Sequence, residues 1–365
     1  MTYRNTCVIC EYNLLKITEL KNHVISYSPT VLPSINSTNV SLPVGFCSKC
    51  YSIQFMKLIP PHILYKDSHN ETFNTPTWKE HHNNFYTFFK DILLNINTCI
   101  EIGGAQCILA SRIIKDYPLL KYNILDIIDQ PLSDIDVQIG NCEEYSFSQD
   151  CVILSHVFEH LHNPKLFLNN IKDSPVNYII LSVPNLEYLL EQDNLNLIHI
   201  EHTFYYNKSH LNYVFNQISF TCIKHEEFKN HSLFYIFKRV SRIDIKPTFT
   251  YSDTLVNYYS NREMKLNSIS LNIDSDIWIA PAGHYGHTIY SFLVNKGYSE
   301  KIKAFIDNDT SKHGKYLNGT DIQIMPYSKL IGKLNITVIL YAGIYTKEIS
   351  SQILQLNTNI HIVYI

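Results

Sequence analysis

Three observations predict an α/β protein built on an open, mostly parallel sheet. The β-branched run from Thr98 to Ile102 stops at Gly103-Gly104 and gives way to helix-compatible sequence from Ala105 to Lys115, the pattern of strand, tight turn and helix. Further apolar, strand-like runs follow at Lys121 to Ile127, Asp150 to Ser155 and Tyr178 to Pro184. Two last runs, Ser219 to Phe228 and Ser232 to Val240, are joined by the polar turn Lys229-Asn230-His231. A turn that short permits only an antiparallel pair.

Composition bounds the class. A chain of 365 residues, 45% apolar and 17% charged, can bury substantial cores and has room for two or three domains. The net charge of −3 and the lack of any Lys and Arg cluster argue against nucleic acid as the main partner. Polar residues come within a few positions of the N-terminus, and no apolar run approaches the roughly 18 residues of a membrane span. We therefore expect no membrane partner and a cytoplasmic location. Nine cysteines, an odd number without secretory features, fit reduced thiols and metal ligation better than a disulfide framework.

Taken in order, the chain opens on two C-x-x-C pairs, Cys7 with Cys10 and Cys47 with Cys50. Two residues between thiolates let both sulfurs turn towards one ion, and two such knuckles complete a tetrahedral four-sulfur zinc site with no open position, hence structural. The 36 residues between the knuckles exceed finger spacing, so a larger loop or small sheet must lie there. Pro60-Pro61 ends this module and Ile63 to Thr77 reads as a polar connection carrying Tyr65. Trp78 to Leu94 then has apolar residues at helical spacing and should cover the cofactor side of the sheet, with His81 and His82 solvated.

The glycine turn is where such a sheet receives a nucleotide-like ligand. Asp126 lies 23 positions past Gly103, at the end of the second strand, where an acid can accept hydrogen bonds from ribose hydroxyls. With Glu101, Gly103 and Gly104 it frames a site for an adenosine-type cofactor. The missing third glycine argues against NAD, and an ordinary buried turn is the alternative. Asn141 and Cys142, next to Glu143, are candidates for the adenine. Ser155 and His156 end the fourth strand, beside the reacting centre. His160, one helical turn on, could face the substrate. His199, Glu201 and His202 fall in a loop over the same sheet edge, where a histidine beside a carboxylate can act as general base.

From Arg242 to Asn272 a polar connector with an amphipathic helix leads to a third unit. Asp276 to Ala280 reads as strand, Gly283 to Gly286 as turn, Thr288 to Asn295 as helix and Lys303 to Ile306 as a strand ending at Asp307. Thr337 to Tyr341 and Ile360 to Ile365 add strands. This unit either binds a second nucleotide or packs as a wall of the cleft.

A mostly parallel sheet that finishes in an antiparallel hairpin resembles the class I S-adenosylmethionine-dependent methyltransferases, a Rossmann-like fold. With the two cysteine knuckles, the loop His199-Ile-Glu-His202, and a C-terminal unit carrying G-x-x-G and Phe305-Ile-Asp-Asn-Asp309, nearly the full chain resembles the sugar C-methyltransferases of deoxysugar biosynthesis. The resemblance implies a zinc module over residues 1–62, a methyltransferase domain over 63–242 and a Rossmann-like domain over 243–365. It implies S-adenosylmethionine as cofactor and structural zinc. The partner would be a nucleotide-linked 4-keto-6-deoxysugar, methylated at C3 by a monomer or weak homo-oligomer. His202 would be the base, Glu201 its partner, and His160 and Tyr65 would flank the sugar. Two positions depart from the family: Gly104-Ala-Gln-Cys107 replaces an acidic or Asn-Asp-Gly pattern, and His199 stands where tyrosine is common. The C-terminal unit also resembles modules of polysaccharide-synthesis proteins. Oxygen or nitrogen as acceptor, and a binding protein without turnover, stay open on the residues alone.

Overall fold

The computed structural model describes residues 2–34, 40–65, 76–104, 107–127, 135, 137–192, 194–197, 199–241, 249, 257–269, 271 and 273–365. Seven strands form its largest sheet: β1 Thr98–Ile102, β2 Lys121–Asp126, β3 Val137–Ile139, β4 Cys151–Ser155, β5 Tyr178–Pro184, β6 Phe220–Phe228 and β7 Ser232–Arg239. Their order is β6-β7-β5-β4-β1-β2-β3. The first five are parallel, and β7 runs antiparallel to both β5 and β6. This is the mostly parallel sheet closed by a hairpin that the sequence predicts, and the core has the class I methyltransferase fold.

Successive strand residues point to opposite faces, and helices cover both, which is why the central strands read as unbroken apolar runs. On one face Cys151, Ile153, Ile180 and Phe234 pack against Phe85, Phe88 and Phe89 of helix Pro76–Phe89. On the other, Val152, Leu154, Ile179 and Leu181 pack against Phe167, Ile171 and Phe215. His81, expected in solvent, is fully buried in the first layer and shares a 2.8 Å hydrogen bond with Ser182 Oγ. The reason is its place one turn before Phe85, on the helix's inward stripe. His82 is also withdrawn from solvent, against the expectation, and burial pushes its pKa down to about 4.

Between the cysteine knuckles lies a hairpin, Leu14–His23 with Val40–Cys47, extended by Ile53–Phe55. The fourth strand of that sheet is Phe204–Tyr205 from the core, with Phe204 opposite Gln54 and Tyr205 opposite Ile53. The knuckles repeat one geometry. Cys7 and Cys47 carbonyls accept from the amides of Glu11 and Tyr51 at 2.9 and 2.7 Å, and both acceptor turns end in a left-handed residue, φ 62° and 66°.

The C-terminal unit is a five-stranded parallel sheet in the order Ile324–Pro326, Ile302–Asp307, Asp276–Ala280, Ile336–Leu340, His361–Tyr364. Its Tyr341 hydroxyl accepts from Leu195 N at 2.6 Å and donates to Asn194 Oδ1 at 2.9 Å. Tyr258, on helix Tyr258–Ser268, accepts from Leu197 N and donates to Asn194 O. Much of the connector predicted over 242–272 lies outside the described residues. Among the described residues, no helix is long and apolar enough to cross a membrane.

Candidate active site

The strand order reverses between β1 and β4, and the crevice outside the carboxyl ends of strands at such a point is where open α/β sheets bind ligands. A cavity of about 940 Å³ opens there. All eight residues nominated for the cofactor line it: Glu101, Gly103, Gly104, Asp126, Asn141, Cys142, Ser155 and His156. So do all five nominated for chemistry, Tyr65, His160, His199, Glu201 and His202.

At the sheet end, Gly103 adopts φ +69°, and a Cβ there would meet Val157 Cγ2 at 2.6 Å. A Cβ on Gly104 would meet Ile124 Cγ2 at 2.6 Å. The turn is therefore closed to any side chain, and the chain resumes at Cys107, φ 55°, which enters helix Ile108–Asp116. Ala105 and Gln106, the departure from the family pattern, lie outside the described residues. Glu101 is buried and accepts from Tyr122 Oη at 2.7 Å. Burial pushes its pKa up to about 7, against the pull of that hydrogen bond. Asp126 ends β2 at the cavity wall. Asn141 Oδ1 accepts from Glu143 N, closing the turn after β3, and the Glu143 carboxylate is taken by Asn163 N at 2.6 Å. Burial raises the Cys142 thiol.

Ser155 Oγ is buried with no hydrogen-bond partner among the described residues, a polar atom at the cavity wall suited to a ligand. His156, φ 54°, turns its ring between Ser232 Oγ, 2.8 Å from Nε2, and Glu159, 3.3 Å from Nδ1. Burial pushes its pKa down to about 3, so it is a neutral wall and no base. A narrow turn, two small glycines, a ribose-height acid and an unsatisfied hydroxyl fit an adenosine-type ligand.

At the other end the histidines converge because Thr203 ties two segments together. Its amide donates to Glu159 O at 2.9 Å and its hydroxyl to Leu161 O. Its own carbonyl accepts from Phe55 N at 3.0 Å and from Arg4 Nη1 at 3.1 Å. His160 and His202 rings thus stand 4.9 Å apart, and His202 and His199 5.0 Å. Tyr65 Oη lies 2.8 Å from His160 Nδ1. Burial, with the Glu201 and Glu159 carboxylates adding to it, raises the Tyr65 phenol well above its usual value, so the hydroxyl stays protonated. Glu201 N donates to His199 Nδ1 at 3.2 Å, which places the proton of a neutral His199 on Nε2.

One site residue escaped the sequence reading. Glu159 is buried between His156 and His160, and burial pushes its pKa up to about 7 while His202 pulls it back. Its acid-histidine pairing was visible in Glu159-His160, but nothing in the sequence placed it opposite His202. The ring of His284, from the C-terminal unit, lies 4.3 Å from His199 and 4.4 Å from Tyr27. The cavity itself is lined by residues between Pro61 and His202, and that unit packs against His199 from behind. Its own ribose-type acid is engaged: Asp307 Oδ2 accepts from Lys312 Nζ at 3.1 Å and from Ala282 N at 3.0 Å. This disfavours the second-nucleotide reading.

The four knuckle sulfurs lie within 4.8 Å of one another, with Cys7 to Cys50 at 3.5 Å and Cys10 to Cys47 at 3.4 Å. Sulfurs about 2.3 Å from a tetrahedral zinc sit about 3.8 Å apart. Cys7 Sγ also accepts from Gln54 Nε2 at 2.9 Å and Ile9 N at 3.4 Å, the contacts that thiolate ligands take up. The donor set fits structural zinc.

No protein-family model and no curated protein sequence matches the chain. Solved structures do resemble part of it. Human N-acetylserotonin methyltransferase is 18% identical, over 45% of this chain and 53% of that one, with a TM-score of 0.39. Burkholderia thailandensis 1,6-didemethyltoxoflavin-N1-methyltransferase is 10% identical over 55% and 96%, TM-score 0.38. N-methyltransferase NodS from Bradyrhizobium japonicum WM9 is 10% identical over 46% and 90%, TM-score 0.34. At these scores the strand order, and not the likeness, carries the assignment of the fold.

Proposed function

We propose that the chain is an S-adenosylmethionine-dependent methyltransferase acting on a nucleotide-linked 4-keto-deoxysugar, with carbon as the acceptor and His202 as the base. One observation carries this: a single cavity joins the glycine turn and Asp126 at one end to the Tyr65, His160, Glu201 and His202 cluster at the other. When bound, the cofactor supplies an electrophilic methyl on a sulfonium sulfur. The chain's part is to align the acceptor and remove one proton. His202 takes the proton from the carbon beside the ketone, and the neighbouring carboxylates of Glu159 and Glu201 stabilise the imidazolium that results. Tyr65, kept protonated, can donate to the oxygen on which the enolate charge develops. The cysteine cluster holds structural zinc, and residues 1–62, 63–242 and 243–365 act as three units around one site.

Calorimetry with S-adenosylhomocysteine on wild type and Asp126→Ala tests the cofactor end. We expect binding that the substitution weakens about tenfold, and no binding to the zinc-loaded wild type overturns the proposal. NMR of the product from a keto-sugar nucleotide tests the acceptor: methyl on carbon supports it, methyl on oxygen or nitrogen removes the carbon assignment. His202→Ala should lower turnover by about 10²- to 10⁴-fold with homocysteine-product affinity unchanged.

A further inference from the structure

Glu159, His160 and His202 present ligand atoms within 4.8 Å of one another. Two imidazoles bound at about 2.0–2.1 Å to a tetrahedral ion have ring centres about 5 Å apart, and those of His160 and His202 are 4.9 Å apart at 80°. The carboxylate of Glu159 is the independent sign. The residue is 2% exposed, and among the described residues neither oxygen has a partner in strict hydrogen-bond geometry. It is met by His156 Nδ1 at 3.3 Å and by the buried phenol of Tyr206. A buried carboxylate met only by a phenol and a neutral imidazole, with no Lys or Arg among the described residues paired to it, is costly unless a cation meets it. The Tyr65 hydroxyl, 2.8 Å from His160 Nδ1, supplies the outer contact that orients a metal-binding imidazole. Both histidines line the cavity, so two imidazoles and one carboxylate leave a coordination position facing the acceptor space.

We propose that Glu159, His160 and His202 bind a second divalent ion of the zinc class in the acceptor half of the cavity, and that its binding excludes base catalysis by His202. The exclusion rests on the function proposed above; the metal site does not. A metal takes the imidazole lone pair that would accept the proton, so the ion and turnover compete for one atom.

The full-length protein carrying its first equivalent of zinc would be titrated with Co²⁺. The expected result is one further equivalent, with visible d–d absorption and no near-ultraviolet thiolate band. Glu159→Gln and His160→Asn should each lose that equivalent while keeping the first, with S-adenosylhomocysteine binding as the check that each variant is folded. No second equivalent in wild type, or one that survives in both folded variants, overturns the site, as does a thiolate band on the second equivalent. Zinc added to the point of one bound second equivalent should cut methyl transfer at least tenfold, and a brief chelator treatment should restore it. Undiminished transfer at that occupancy overturns the exclusion. Metal counting needs no methyl acceptor, so failure of the methyltransferase reading leaves the metal result standing.

Discussion

Thr203 shows how much one side chain can organise. It sits between the imidazole proposed as base and the strand that reaches the cysteine module, and its three polar groups reach Glu159, Leu161, Arg4 and Phe55. Thr203→Val keeps the shape and the backbone bonds but leaves the Leu161 carbonyl without its hydroxyl donor, a loss of about 1 kcal/mol. We expect the turnover number to fall severalfold while S-adenosylhomocysteine affinity holds, compared by initial rates and calorimetry. Glu101 predicts a pH signature. Its folded pKa of about 7 lies above the ordinary 4.5, so folding takes up a proton between those values. Its contribution to stability is full below 4.5 and is lost as pH rises through about 7. Urea melts across that window should show wild-type stability falling relative to Glu101→Gln; parallel curves would refute the assignment. Local pattern singled out the four clustered cysteines, Cys7, Cys10, Cys47 and Cys50, and the cavity-lining Gly103 and Asp126, since each needs only sequence spacing to be recognised. The burial of His81 and the role of Glu159 depend on what packs opposite them, which no spacing encodes.

At the level of elements, the turn after β1 and the loop after β5 line the cavity at its two ends. The turn has no room for a methyl group at Gly103, where φ is +69° and Val157 is 2.6 Å from the Cβ position. Gly103→Ala should cost about 1–3 kcal/mol through a left-handed backbone and a displaced Val157, and should weaken S-adenosylhomocysteine binding, measured by denaturant melts and calorimetry. The loop is a different case. The sequence predicted its position between β5 and the helix that starts at Lys208, with Asn207 as N-cap accepting from Ser209 N and His210 N. It did not predict that Phe204–Tyr205, a two-residue strand, would join the sheet of the cysteine module. A strand of that length has no periodicity to read, and its pairing is decided by an edge that Ile53–Phe55 offers from 150 residues away.

Across the whole molecule, contacts from the C-terminal sheet reach the segment around the histidine loop: His284 meets His199 and Tyr341 holds Asn194. Tyr341→Phe removes the acceptor of the buried Leu195 amide, which costs about 1–3 kcal/mol. Turnover should fall while cofactor-product binding stays, because Asn194 to Leu197 leads into the histidine loop and not the glycine turn. Stripping the four-cysteine site with a chelator should have the same split effect, read by rate and calorimetry, since the module's sheet holds Phe204–Tyr205. Equal loss of binding and rate in either case would argue that the units are not coupled through this loop.

The pairing of Phe204–Tyr205 with Ile53–Phe55, and the grip of Tyr341 on Asn194, also set an order of events at the ribosome. The seven-stranded sheet is complete once Arg239 has emerged, so its cavity-lining edge can fold while more than a hundred residues are still to be made. The histidine loop receives its last support only when Tyr341 arrives. On the proposed function, a nascent chain would hold its small ligand before it can act on an acceptor, and that ligand would serve as a template for folding well ahead of the first turnover.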